Sequence, residues 1–222
     1  MIIVAGKVSN CCGEGFNGYD LLCLLLQFNR NLTCIYLQNN NIQTNGGTHL
    51  PDFLATNPPL GTLRLENNNF NDVDAELIAS ALKQNTNLKH LYVLGGSQIT
   101  DVGGSSLHDA LFDSSSLNAA AVSNHTCYIL GLDPDCGFNN TDTAKVNRGR
   151  KIYSILSERN RAKSNVHHLD LEFGDDSVTF VPEVLECVQR YSKLRLGVHV
   201  PPLSIMFEML RSWNMPELYG MR

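Results

Sequence analysis

One pattern returns along this chain at a fixed interval. Leu32-x-x-Ile35-x-Leu37-x-x-Asn40-x-Ile42 is followed by Leu60-x-x-Leu63-x-Leu65-x-x-Asn68-x-Phe70, and again, less closely, from Leu88; the step from Leu32 to Leu60 equals the step from Leu60 to Leu88. A chain that repeats itself at this spacing builds a solenoid, one short strand and one returning helix per unit, because no single unit can bury its own apolar side. Along each strand the apolar residues alternate, so they turn to one side while the residues between them turn to the other. The Asn after each strand carries an amide that both donates and accepts. It suits backbone groups left open where the chain turns, so Asn40 and Asn68 are expected to form a structural ladder one unit apart. Gly96 stands nearest that place in the third unit, which has an extra residue before Ile99.

Between strands the pattern becomes helical. Asp72 or Asp74 is placed to cap a helix in which Ala75, Ile78, Ala81 and Leu82 share a face. Leu21 to Leu26 lies two full repeats before Leu77 to Leu82 and reads as the helix of an earlier unit. Its strand is expected within Ile2 to Val8, with Gly13, Gly15 and Gly18 crowding the turn, so this first unit is read as degenerate or cut short. Beyond the third helix, Leu117-x-x-Ala120-x-Val122 predicts a fourth strand of small residues. A polar loop over Cys127 to Val146 and a helix around Arg148 to Arg161 follow. Val166-x-x-Leu169-x-Leu171 then predicts another strand with an acidic turn at Gly174, Asp175 and Asp176. A helix from Pro182 to about Tyr191 uses proline where its missing N–H is harmless, and Leu194 to Val200 reads as a last strand. From Ser204, the stripe Leu203, Met206, Met209, Leu210 and Trp213 marks a final helix covering the end of the array.

These residues carry a resemblance. The period, the strand pattern and the run Asp-x-x-Ala-x-x-Ile-Ala-x-Ala-Leu at Asp72 to Leu82 resemble ribonuclease-inhibitor-type leucine-rich repeats over roughly residues 17 to 126. A narrower similarity runs through Ser116-Leu117-Asn118, Ser123-Asn124-His125-Thr126-Cys127, Ser164-Asn165-Val166-His167-His168-Leu169 and Leu203-Ser204-Ile205-Met206 to Met215-Pro216-Glu217-Leu218, and is similar to the expanded leucine-rich repeat proteins of diatoms and related algae. The resemblance implies an α/β solenoid with a curved parallel sheet on its concave face, helices on its convex face and an irregular helical C-terminal cap. It implies repeats over 1–126, and over 127–222 a loop insertion, a degenerate repeat and the cap within the same solenoid. Its functional implication is protein recognition through the sheet.

Charge and cysteine bound the setting. Lys145 to Lys163 holds seven basic residues against one acid, Glu158, a local +6 that leaves −11 for the remainder of a chain at −5. A solvated helix face with Ile152, Ile155 and Leu156 turned inward explains the run, and a contact for an acidic partner or a nuclear-import signal are the sharper readings. Nucleic acid is not expected as a partner, since Tyr153 alone interrupts the basic run and no row of stacking aromatics accompanies it. Seven cysteines cannot all pair, and Cys23, Cys34 and Cys187 fall on apolar faces, where a thiol acts as a small hydrophobe. That favours a reducing compartment, cytoplasm or nucleus, over the one suggested by the acceptor triplets Asn31-Leu32-Thr33, Asn124-His125-Thr126 and Asn139-Asn140-Thr141. Leu21 to Leu26 is too short to span a bilayer, and the start lacks a secretory-signal pattern.

Catalytic chemistry finds little footing. His167-His168-x-Asp170 is the one cluster that suggests a metal, but two ligands on one strand do not make a zinc site, and His90 and His125 belong to other units. Cys11-Cys12 and the pair Cys127 and Cys136 lack Cys-x-x-Cys spacing. Gly95-Gly96 and Gly103-Gly104 match no phosphate loop and read as turn glycines. No catalytic residue, metal or cofactor is therefore expected.

What remains is the sheet face. The outward positions give Cys34, Tyr36 and Gln38, then Thr62, Arg64 and Glu66, then His90, Tyr92 and Leu94, then Ala119, Ala121 and Ser123, then His168, Asp170 and Glu172. Tyr36, Arg64 and Tyr92 fall on one column, close enough for the guanidinium to stack on the rings, and Tyr and Arg dominate interface energies. The expected function is a monomeric, non-enzymatic scaffold that binds another protein on this face. The alternatives are a regulator of a small GTPase, with Asn40, Arg64 and Asn68 as its nearest candidates, and the repeat arm of a longer multidomain protein.

Overall fold

The structure, a computed structural model, describes residues 2–4, 18–28, 31–132, 142–164, 168, 169, 172, 181–191 and 204–206. In chain order the elements are β1 (Ile2–Val4), α1 (Gly18–Phe28), β2 (Cys34–Tyr36), α2 (His49–Ala55), β3 (Thr62–Arg64), α3 (Asp72–Leu82), β4 (His90–Tyr92), α4 (Asp101–Leu111), α5 (Leu117–Val122), β5 (Tyr128–Ile129), α6 (Ala144–Arg161) and α7 (Val181–Tyr191). The fold is mixed α/β. Its strands form one parallel sheet in the order β1-β2-β3-β4-β5, so every neighbour in sequence is a neighbour in space. The chain divides into two compact units, Met1–Asp113 with Ser123–Pro134, and Ser114–Val122 with Asp135–Arg222.

In the first unit the repeat interval becomes strand register. Cys34, Ile35 and Tyr36 stand beside Thr62, Leu63 and Arg64, which stand beside His90, Leu91 and Tyr92. The alternation drives the inward residues out of water: Ile35, Leu63, Leu91 and Ile129 form one fully buried row, and Leu37, Leu65 and Val93 the next. Leu32, Leu60 and Leu88 enter the same core from the approach to each strand. Each such side chain contributes on the order of 1.5–3 kcal/mol by leaving water. Leu54, Ile78, Leu82 and Leu107 close the core from the helices.

Polar side chains fasten the turns between units. Asn68, 1 % exposed, accepts on Oδ1 from the backbone N–H of Asn40 at 3.0 Å and of Ile42 at 2.9 Å. Its Nδ2 donates to Leu37 O and Leu65 O, each at 2.9 Å. In the third unit Ser97 occupies the corresponding place and donates to Leu94 O. Gly96 belongs instead to a left-handed column, φ +67°, with Asn39 at 63° and Asn67 at 55°. Only Gly, or Asn at some strain, holds that conformation, so the extra residue of the third unit shifts Gly96 off the ladder.

A second ladder closes the other end of each helix. Asn85 Nδ2 donates to Leu54 O, the last turn of α2, and its Oδ1 receives the N–H of Leu88. Asn124 repeats this one unit on, donating to Leu82 O and receiving the N–H of Cys127. At the helix starts, Asn71 and Asp74 form a capping box, and Asp74 also accepts from the hydroxyl of Thr44. Asp72 accepts from Thr100 N, Thr100 Oγ1 and Gly103 N. Gly103 lies in the first turn of α4 and not at a repeat turn; a Cβ there would stand 2.6 Å from Asp72 Oδ1 and 2.9 Å from Ala75 Cβ. Its bareness lets α4 approach α3 closely enough for that bond.

Three sequence expectations are overturned. Leu117 to Val122 is a helix and not the fourth strand: Asn118-Ala119-Ala120-Ala121 favours helix intrinsically, and Ser116 Oγ accepts from Ala119 N. That strand is β5, inside the segment read as a loop from Cys127. In the second unit His168, Leu169 and Glu172 are helical, not extended. α6 and α7 lie where helices were expected, α6 starting earlier with Thr143 as its cap. The proposed strand Leu194 to Val200, and the cap helix beyond Met206, lie outside the described residues.

Asn68→Ala should lose about 3 kcal/mol or more in urea unfolding, since four buried backbone groups lose a partner, whereas Gln43→Ala, exposed, should stay within about 0.5 kcal/mol. The Thr100 and Gly103 donors hold the Asp72 carboxyl below its ordinary 3.8. A depressed carboxyl stabilises the fold above its unfolded pKa and loses that as pH falls through the folded one. The stability gap between the native chain and Asp72→Asn should thus be flat above about pH 5 and shrink below 3.8.

Candidate binding face

The outward residues of β2, β3 and β4 stand in three columns. Cys34, Thr62 and His90 form the first and Tyr36, Arg64 and Tyr92 the second, both fixed by strand register. Gln38 and Glu66 continue into the third, held by the backbone bonds from Leu37 N to Arg64 O and Asn39 N to Glu66 O. Beyond β4 the extra residue breaks this column: Asn67 N donates to Gly95 O, so Gly95 stands beside Glu66 and Leu94 packs partly against the core. The eight column residues are half-buried. Cys34 shares this face with Tyr36 and is not a core thiol.

Arg64 organises the centre. Its Cζ lies 4.7 Å from the centroid of the Tyr92 ring, a cation–π contact worth on the order of 0.5–1 kcal/mol at such a site. Its Nε and Nη2 donate to Glu66 Oε1 at 3.1 and 2.7 Å. The hydrogen bond and the negative charge of Glu66 raise the Arg64 pKa further. Tyr36 flanks Arg64 on the other side, its hydroxyl pushed above the ordinary value first by Cys34 and eased by Arg64. Gln38 Oε1 and Glu66 Oε2 are buried without hydrogen-bond partners.

The fourth unit supplies different residues from those the sequence suggested. Ala119 and Ala121 lie on α5, and Ser123 is buried with its Oγ accepting from Asp113 N at 3.1 Å. Tyr128 and Leu130 take their place: Tyr128 pairs with His90, Leu130 N donates to Leu91 O, and Leu130 is 49 % exposed. The signal was present, because Asn124 stands before β5 as Asn85 stands before β4. The same observation bears on the acceptor triplet at Asn124, whose Nδ2 already donates to Leu82 O and Asn85 O.

His168 and Glu172 belong to the second unit and not to the sheet. Glu172 takes two bonds of 2.8 Å from Arg159 and one from Leu117 N, so it anchors the start of α5. Asp170 lies outside the described residues. The basic run is largely neutralised within that unit: Lys145 pairs with Glu186, Arg148 with Glu183, Arg150 with Asp142 and Arg159 with Glu172. Lys151 is fully buried with Ile152, Ile155 and Leu156 beside it, leaving Arg161 and Lys163 exposed. Among the described residues no three His, Cys, Asp or Glu side chains gather as metal ligands, and no helix is long and apolar enough to cross a membrane.

Thiol labelling reads out these placements. Cys34, on the open face, should react with a maleimide in the native protein. Cys187, buried with its thiol pushed up to about 12 by desolvation and by Glu183 and Glu186, should react only on unfolding. Peptide mapping by mass spectrometry separates them, and equal native rates would contradict the burial of Cys187.

No protein family, curated protein or solved structure matches this chain.

Proposed function

We propose that the chain is a leucine-rich repeat solenoid of the ribonuclease-inhibitor type, and that it acts without chemistry of its own as a monomeric scaffold binding another protein on the concave, outward face of its sheet. The repeat reading is supported by β2, β3 and β4, which recur at one interval in parallel register, and by asparagines that serve equivalent backbone groups in successive units. The burial of Cys127 and Cys187, as small hydrophobic side chains, is in keeping with a reducing compartment.

The column Tyr36, Arg64 and Tyr92 carries the binding reading. Its three side chains, half-buried and set on rigid strands, have lost much of their freedom before a partner arrives. A partner therefore meets a preorganised surface and loses less entropy on docking. Aromatic and arginine side chains on such a surface supply most of the energy of typical protein interfaces. Leu130 extends the column with exposed apolar area.

The test is an affinity pull-down from lysate of the source cell, using the native chain beside the triple variant Tyr36→Ala, Arg64→Ala, Tyr92→Ala, with matched circular dichroism as the entry condition. A protein retained by the native chain and lost with the variant supports the face as the binding site. Equal recovery by both baits would sink it.

A further inference from the structure

Glu66 is bonded on one side only. Both Arg64 donors reach the single oxygen Oε1, whereas a guanidinium and a carboxylate ordinarily meet through two parallel bonds that use both oxygens. Oε2 stays buried without a partner, and so does Oε1 of Gln38 in the same column one strand away. Both orphans are acceptors, one of them on a carboxylate. Buried polar groups are almost always paired, so this corner of the face lacks a donor.

The donor that fits best is a cation. The unit that holds the sheet carries five lysine and arginine residues against eleven aspartates and glutamates, a formal −6, so its net charge favours a positively charged partner. Arg64 does not oppose this approach as a bare charge, because Glu66 and the Tyr92 ring already answer it. The residue beside Glu66 is Gly95, which has no side chain to cover the flank of the carboxylate, and long cationic side chains bury their stems while their heads find polar partners.

We infer that the sheet face receives a lysine or arginine side chain of the partner protein, its head bridging Glu66 Oε2 and Gln38 Oε1 and its stem passing over Gly95. A rotamer change of the half-buried Gln38 side chain uncovers the site and keeps its Oε1 toward the incoming head. This rests on reading the face as a recognition surface and adds what that surface selects. A competing use of the same atoms is internal: a Gln38 amide turned to present Nε2 to Glu66 would satisfy the carboxylate and leave no preference for a cation.

Random peptides displayed on phage and selected on the full chain separate these cases. Clones that bind the native chain but not the variant Tyr92→Ala, Leu130→Ala define the face. Those clones should be enriched in Lys or Arg beside an apolar residue, and synthetic copies should bind Glu66→Gln about tenfold or more weakly, with affinity falling as salt rises. Gln38→Leu keeps the Arg64–Glu66 pair and should weaken the same peptides; unchanged binding there overturns the bridge. Matched circular dichroism excludes misfolding of either variant. Face-dependent clones without basic enrichment overturn the cation assignment and leave the face a binding surface, whereas the absence of face-dependent clones overturns both readings.

Discussion

A repeat built on such short strands leaves most of its backbone in turns, and the unsatisfied groups of those turns decide whether units can stack at all. Asn68 answers this by reaching four backbone groups spread over two units from one buried amide. Hydrophobic burial supplies most of the energy, but leucine against leucine tolerates sliding. A fork of donors and acceptors with fixed partners does not. The asparagines therefore set the registration between units, and the strand register that aligns Tyr36, Arg64 and Tyr92 depends on it.

That registration turns a sheet into an ordered surface. Parallel strands in step place like positions side by side at about 4.7–4.9 Å, so a side chain in one unit finds its neighbour in the next without any loop to position it. Arg64 stacks on a ring one unit away and pairs with a carboxylate further along its own strand direction. Neither contact depends on a loop. The face is rigid because the core behind it is rigid.

Sequence alone revealed this arrangement where periodicity and chemistry agreed. Leu63 and Leu91 could be placed inward and Arg64 and Tyr92 outward because strand alternation has a period of two and the unit repeats without a gap. The reading failed where an insertion put the two signals in conflict. Leu117, Ala120 and Val122 kept the apolar spacing of a strand while their alanine content favoured a helix, and spacing was followed. Asn124 was the better guide, since its partners are those of Asn85 moved on by one unit. Leu169, read into a strand by its spacing, is helical as well. The lopsided pairing of Glu66 could not be read from sequence at all, because it depends on which oxygen the guanidinium reaches.

The departure of residues 114–122 from the first unit has a bearing on how such a chain can change over time. β3, β4 and β5 begin at Thr62, His90 and Tyr128, so the last interval is the longer one, and the neck of the excursion is closed where Asp113 donates to Ser123. Closing the longer span instead of the shorter one adds only about 0.3 kcal/mol of loop entropy. An array of this kind can therefore acquire a detour between two strands almost without thermodynamic resistance, provided that the residue which locks the next unit is retained. Asn124 is that residue here, and it marks the boundary between what the architecture must conserve and what it is free to lengthen.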